Sequence, residues 1–273
     1  MKHLVTRFLC LLFPSLMVKM AYRLLTSPQV HKLRPHEEEV LATASKRRIA
    51  YQDFDIQLYE WPGEGEKVLL VHGWEGQAGN FAEIIEALQA SNFHVLAFDA
   101  PSHGMSSKGA TSLFEFRELT GHLISDFQTS YLVSHSFGGV ATTSGLYELG
   151  DYPIEAYVLL TTPDTFQERI DSVSMQAGIA DNVKQRLIRI MEAEAGQPIE
   201  ELGVSKLVPF LKVKRVLILH DLNDRVIPIS QAQQVAGNWP VARLEVIEGT
   251  GHFRILRTPE VIQRAVDFLK AEP

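Results

Sequence analysis

Residues 131–140 read YLVSHSFGGV. An apolar run enters Ser-His-Ser, then passes through Phe-Gly-Gly into small and apolar residues. That pattern fits a strand buried on both faces turning directly into a helix. Ser136 sits at the turn, with Ser134 and Gly138 two positions away on either side. A sharp strand-to-helix turn strains its central residue and crowds those two neighbours, so both must be small. The same turn lifts the Ser136 hydroxyl clear of the sheet. It also brings the first N–H groups of the helix, that of Phe137 included, near where an anion would form. Two readings fit: a buried turn that tolerates polar side chains, or a nucleophile held up for attack. A lone S-x-S-x-G favours the first, so the surrounding chain has to decide.

Outward from this stretch, strands and helices alternate. "RIAYQDFDIQLYEW" reads as a β-hairpin. "KVLLVHG" is a buried strand ended by glycine, and "NFAEIIEALQAS" has helical spacing with Asn80 as a cap. "FHVLAFDA", "IEAYVLLTTP", "RVLILHD" and "ARLEVIEG" are further strands, with "SLFEFRELTGHLISDF", "GGVATTSGLYEL", "SQAQQVAG" and "PEVIQRAVDFLKA" as helices between or after them. This order predicts an α/β fold: a doubly wound, mostly parallel sheet with an N-terminal antiparallel hairpin and helices on both faces. Polar helical sequence at 165–212 interrupts the alternation and reads as an insertion.

Ligands in such sheets bind beyond the carboxyl ends of the strands. Those ends carry His72, Gly73 and Trp74; Asp99, His103 and Gly104; Ser136; Asp164; His220, Asp221 and Asp224; and Gly251 and His252. A serine hydroxyl needs a base, and the base needs an orienting acid. His252, in the loop after the last strand, is the candidate base. Asp224 is the candidate acid, with Asp221 and Asp164 as rivals. His103 and Asp99 read as ties within their own loop, and His72 as a support for the loop beside it. His135 reads as a filler beneath the turn.

The order Ser, Asp, His resembles that of the α/β-hydrolase superfamily. "VHGW" resembles its His-Gly oxyanion loop, and "FDAPSHGMS" its Asp-x-Pro-x-His-Gly-x-Ser loop. The resemblance covers roughly residues 50–273 and places 165–212 where the family carries a variable cap. It implies a core at 46–164 and 213–273 and leaves a helical extension at 1–45 outside. It implies an esterase-like or lipase-like hydrolase acting through Ser136, Asp224 and His252 on a small or medium acyl ester. Backbone N–H groups of Trp74 and Phe137 would form the oxyanion hole, supported by His72, Gly73 and Gly138. Thioester and amide cleavage fit the same machinery, and a non-catalytic ligand-binding protein is the alternative of another class. One departure is Ser134, where the family usually has glycine. Members that open carbon–halogen bonds or epoxides use Asp at the turn, so Ser136 argues against those reactions.

Composition narrows the rest. The chain has 273 residues and a net charge of −7, which argues against nucleic acid as partner. Cys10 is the single cysteine, so no intrachain disulfide exists, in keeping with a cytoplasmic, reducing compartment. No Cys/His cluster has zinc-ligand spacing, and the expected chemistry needs no metal or organic cofactor. Residues 1–36 hold six Lys and Arg and no acid. The start, "MKHLVTRFLCLLFPSLMVKMAYRLL", is basic and apolar. It lacks a signal peptide's clean apolar core, and its longest apolar run is too short to span a bilayer. A helix packed on the body, peripheral membrane contact through residues 1–28, and a targeting segment are its three readings. Oligomeric state is not legible.

Overall fold

The structure is a computed structural model that describes residues 2–271. The basic apolar start forms two helices, α1 (Lys2–Leu12) and α2 (Pro14–Thr26), divided where Pro14 opens the second. Proline has no N–H to donate and is tolerated in a first helical turn, so the break falls there. After α3 (Pro35–Ala42) comes the hairpin β1 (Ser45–Tyr51) and β2 (Phe54–Trp61). Its first strand begins three residues before the apolar alternation does. Then follow β3 (Lys67–Val71), α4 (Ala82–Ala90), β4 (His94–Phe98), α5 (Leu113–Phe127), β5 (Tyr131–His135), α6 (Phe137–Leu149) and β6 (Ile154–Leu160). The segment between β6 and the next strand holds α7 (Gln167–Ala177), α8 (Asp181–Ala195) and the short α9 (Val204–Leu207). The chain closes with β7 (Val213–Asp221), α10 (Ile229–Gly237), β8 (Ala242–Ile247), α11 (Gly251–Arg254) and α12 (Pro259–Lys270).

The eight strands form one sheet in the order β1-β2-β4-β3-β5-β6-β7-β8. Strand β2 pairs antiparallel with β1 and β4, and every other pair is parallel. Order reverses at β3, and α/β sheets place their ligand crevice at such a switch.

Side-chain alternation builds two cores. Leu69, Val71, Leu132 and Tyr157 face one layer, which includes α2, α5, α6 and the inserted helices. Val68, Leu70, Val133 and Val158 face the other, under α4 and α12. The N-terminal helices are thus part of the first core: Cys10, Met17, Val18, Ala21 and Leu25 are buried in it. The Cys10 carbonyl accepts from Asn182 Nδ2 at 3.2 Å, and Tyr22 Oη donates to Glu194 at 2.8 Å, which ties α1 and α2 to α8.

Local signals explain the helix starts. Ser112 and Glu115 exchange reciprocal bonds that cap α5, as a capping box should. Asn80 does not cap α4 as the spacing predicts. Its carboxamide oxygen accepts from Gln77 N at 2.9 Å and closes a preceding 3₁₀ turn, Ala78–Phe81, so α4 begins one step later, at Ala82. Among the described residues no helix is long and apolar enough to cross a membrane.

Candidate active site

Strand β5 delivers Ser136 to the turn before α6 with φ 53° and ψ −127°. Few non-glycine residues adopt that conformation, and holding it stores strain. The surroundings enforce it. Gly138 lies against β3, and a Cβ there would collide with the carbonyl oxygens of Val71 and His72. Gly73 is nearly as confined, since its Cβ would meet Ser136 Cβ at 3.0 Å and His135 O at 3.1 Å. Ser134 fits because its side chain is used: Oγ shares a 2.7 Å hydrogen bond with Tyr157 Oη in the core. Nothing in the sequence pointed to Tyr157.

Three strand ends converge on Ser136. His252 Nε2 lies 3.1 Å from Ser136 Oγ, and His252 Nδ1 lies 2.8 Å from Asp224 Oδ2. The Asp224 side chain is fully buried and that of His252 nearly so. The other carboxylate oxygen, Oδ1, accepts from Val226 N at 2.7 Å and Ile227 N at 3.0 Å. Burial pushes the Asp224 carboxyl up. The hydrogen bond and charge of His252, with the two N–H donors, outweigh that and hold it below its ordinary value.

The rival acids are occupied elsewhere. Asp221 accepts from Thr250 N at 2.6 Å, Thr250 Oγ1 at 2.9 Å and Asn223 N at 2.9 Å. It therefore ties the loop of Asp224 to the loop of His252. Asp164 accepts from Ser205 N at 2.7 Å and Ser205 Oγ at 2.9 Å, which anchors the inserted helices to the sheet.

Neutral histidines brace the site. Ala100 N donates to His72 Nε2 at 3.0 Å, so Nδ1 carries the proton and donates to Gly73 O at 2.7 Å. His103 follows the same logic, accepting from Glu75 N and donating to Pro101 O. Asp99 accepts from Ala78 N, Met105 N and Tyr59 Oη, closing the loop around them. His135 Nε2 donates to His252 O at 2.9 Å, and burial followed by the nearby His252 lowers its pKa to about 3. His72 and His103 are lowered too, first by burial.

The backbone N–H groups of Trp74 and Phe137 donate to no described residue. The Trp74 ring meets His103 and Phe137 edge-on. Two cavities open from this point, sharing Trp74, Glu75, Ser136, His252 and Phe253. One, of about 350 Å³, has apolar walls that include Leu25, Leu113, Val140, Phe166 and Met175. The other, of about 220 Å³, is more polar and includes His31, Lys32, Asn80 and Arg257. Among the described residues no group of three or more His, Cys, Asp or Glu side chains is placed to hold a metal ion.

A model of the alpha/beta hydrolase family matches residues 68–265. The chain belongs to this family. An uncharacterized hydrolase of Bacillus subtilis, YugF, is 20% identical, with 84% of this chain and 99% of that protein covered. An esterase from Exiguobacterium antarcticum has a TM-score of 0.65 at 18% identity, covering 83% of this chain and 100% of that one. The thioesterase domain from the curacin biosynthetic pathway has a TM-score of 0.63 at 16% identity, covering 84% and 100%. Family membership supports hydrolase activity.

This α/β hydrolase has lining residues that sequence reading missed. Leu25, His31 and Lys32 come from the N-terminal extension, outside the matched region. Leu25 belongs to the buried face of α2 with Met17, Val18 and Ala21, and only the fold shows that this face reaches the cavity.

Proposed function

We propose that this protein is a serine hydrolase that cleaves a carboxylic ester of small or medium acyl chain. Ser136 attacks the carbonyl carbon while His252 Nε2 takes the hydroxyl proton. The N–H groups of Trp74 and Phe137 receive the oxyanion, and one such donor is typically worth about 3–4 kcal/mol. His252 then returns the proton to the departing alkoxide. Water hydrolyses the acyl-enzyme by the same steps, which regenerates Ser136. Asp224 holds the Nδ1–H tautomer and stabilises the imidazolium. The helices α7, α8 and α9 act as a cap, and the apolar cavity takes the acyl chain. Apart from the water that deacylates the enzyme, the groups that act are side chains and backbone N–H groups of this chain.

The supporting observation is the chain of hydrogen bonds from Ser136 through His252 to Asp224, at 3.1 and 2.8 Å. The likeness in fold to an esterase and to a thioesterase domain agrees with acyl transfer. A panel of p-nitrophenyl esters from acetate to dodecanoate tests it. The expected result is turnover that peaks at a short or medium chain and disappears in Ser136→Ala. Equal turnover by wild type and Ser136→Ala would refute the assignment.

A further inference from the structure

The helices α1 and α2 bury one face and leave another bare. Leu4, Phe8 and Leu12 of α1, and Leu16, Met20 and Leu24 of α2, stand at steps of four within their own helices, and each is at least half exposed. Positions four apart share one face of a helix. The buried positions Cys10, Met17, Val18, Ala21 and Leu25 hold the opposite face on the body. The bare row is therefore presented by a fixed element, tied through Cys10 and Tyr22 to α8. Contiguous exposed apolar rows of this kind mark an interaction surface.

Charge identifies the occupant. Arg7, Lys19 and Arg23 lie exposed beside the row and form no ion pair with any described residue. No acid occurs anywhere in residues 1–36, although the whole chain carries −7. A second copy docking face to face would set these cations against their own equivalents, with no acid in the segment to pair them. An anionic bilayer does the opposite. Its headgroups meet the cations, and its acyl region takes the leucines and phenylalanines.

We propose that the exposed face of α1 and α2 docks this protein peripherally on an anionic lipid surface. The helices lie in the plane of the interface and do not cross it. Leu24 and Leu25 connect that surface to the site. Leu24 is half exposed on the docking face, while Leu25 is buried and lines the apolar cavity beside Ser136. Docking thus brings lipid to within about one helix diameter, roughly 10 Å, of the cavity wall. The docking stands independently of the hydrolase reading.

The test is sedimentation of the full chain with vesicles of phosphatidylcholine alone and of phosphatidylcholine with phosphatidylglycerol. Light scattering of the free protein accompanies it. Wild type should partition onto the anionic vesicles and at least about tenfold less onto the neutral ones. An apolar variant, Leu4→Ser with Phe8→Ser and Leu12→Ser, should lose at least about tenfold in partitioning, and so should a charge variant, Arg7→Glu with Lys19→Glu and Arg23→Glu. Both should keep the wild-type melting temperature, because every altered side chain is exposed. If the triple serine variant unfolds, Phe8→Ser alone replaces it. Failure of wild type to bind either vesicle overturns the proposal, as does unchanged binding by both variants. A wild-type dimer that the apolar variant dissolves, without vesicle binding, gives the face to a second copy.

Discussion

Asp224 and His252 meet at 2.8 Å although 28 residues separate them, and the carboxylate's second oxygen is held by two backbone N–H groups of its own loop. The carboxylate is thus immobilised where it meets His252. Asp224→Asn keeps the shape but presents an amide that stabilises neither the tautomer nor the imidazolium. Its kcat on the best ester should fall on the order of 10⁴ with KM little changed. Asp221→Asn should cost far less in kcat and should mainly lower the melting temperature, since Asp221 touches Thr250 and Asn223 and not His252. Steady-state kinetics and calorimetry on both variants separate the two carboxylates.

Ser136 holds φ at 53° in the folded protein. A non-glycine residue in such a region stores roughly 1–3 kcal/mol. Ser136→Gly should therefore be inactive yet more stable, by about 1 kcal/mol after the entropy glycine adds to the unfolded chain, or ~2–4 °C in melting temperature. A lower melting temperature would show that the turn carries no strain.

Gly138 has the opposite expectation. Any Cβ there meets the carbonyl oxygens of Val71 and His72, which belong to the central strand and the loop after it. Gly138→Ala should lose roughly 3 kcal/mol or more, read as a shift of the urea midpoint.

Much of this was legible in advance. Strand alternation, the small residues around Ser136 and the titratable residues at strand ends follow from periodicities of two and 3.6 and from what a tight turn tolerates. What was not legible came from long-range contact. Ser134 in place of glycine becomes intelligible only with Tyr157 beside it. Asn80 has a cap's chemistry, but Gln77 captures it first. The packing of α1 and α2 on α7 and α8 depends on a buried face whose partner lies about 170 positions away, as between Cys10 and Asn182.

Acid should unfold the protein in a defined direction. His135 is held to about 3, chiefly by burial, while an unfolded histidine titrates near 6.5. The unfolded chain therefore binds more protons between these values, so stability is full above about pH 6.5 and is lost as pH falls toward 3. His72, His103 and His220 shift the same way, each led by burial. Asp221 and Asp224, both depressed, add their loss only below the ordinary carboxylate range. His135→Asn, which retains a donor for His252 O, should flatten the slope of urea stability between pH 6.5 and 4.5 by at most about 1.4 kcal/mol per pH unit.

Val140 lines the apolar cavity on the first turn of α6. Val140→Phe should shorten it. The ratio of kcat/KM for octanoyl over acetyl ester should drop about tenfold, with acetyl turnover retained, which corresponds to about 1.4 kcal/mol of lost acyl binding. An unchanged ratio would move the acyl chain to the other cavity.

On this mechanism Ser136 is an activated nucleophile. Treatment of the folded protein with a fluorophosphonate, followed by intact mass and peptide mapping, tests it most directly. A single adduct on Ser136, absent after prior heat unfolding and strongly slowed in Asp224→Asn, is the predicted result. No adduct on a protein shown to be folded, or an adduct on another residue with Ser136 unmodified, would contradict the claim.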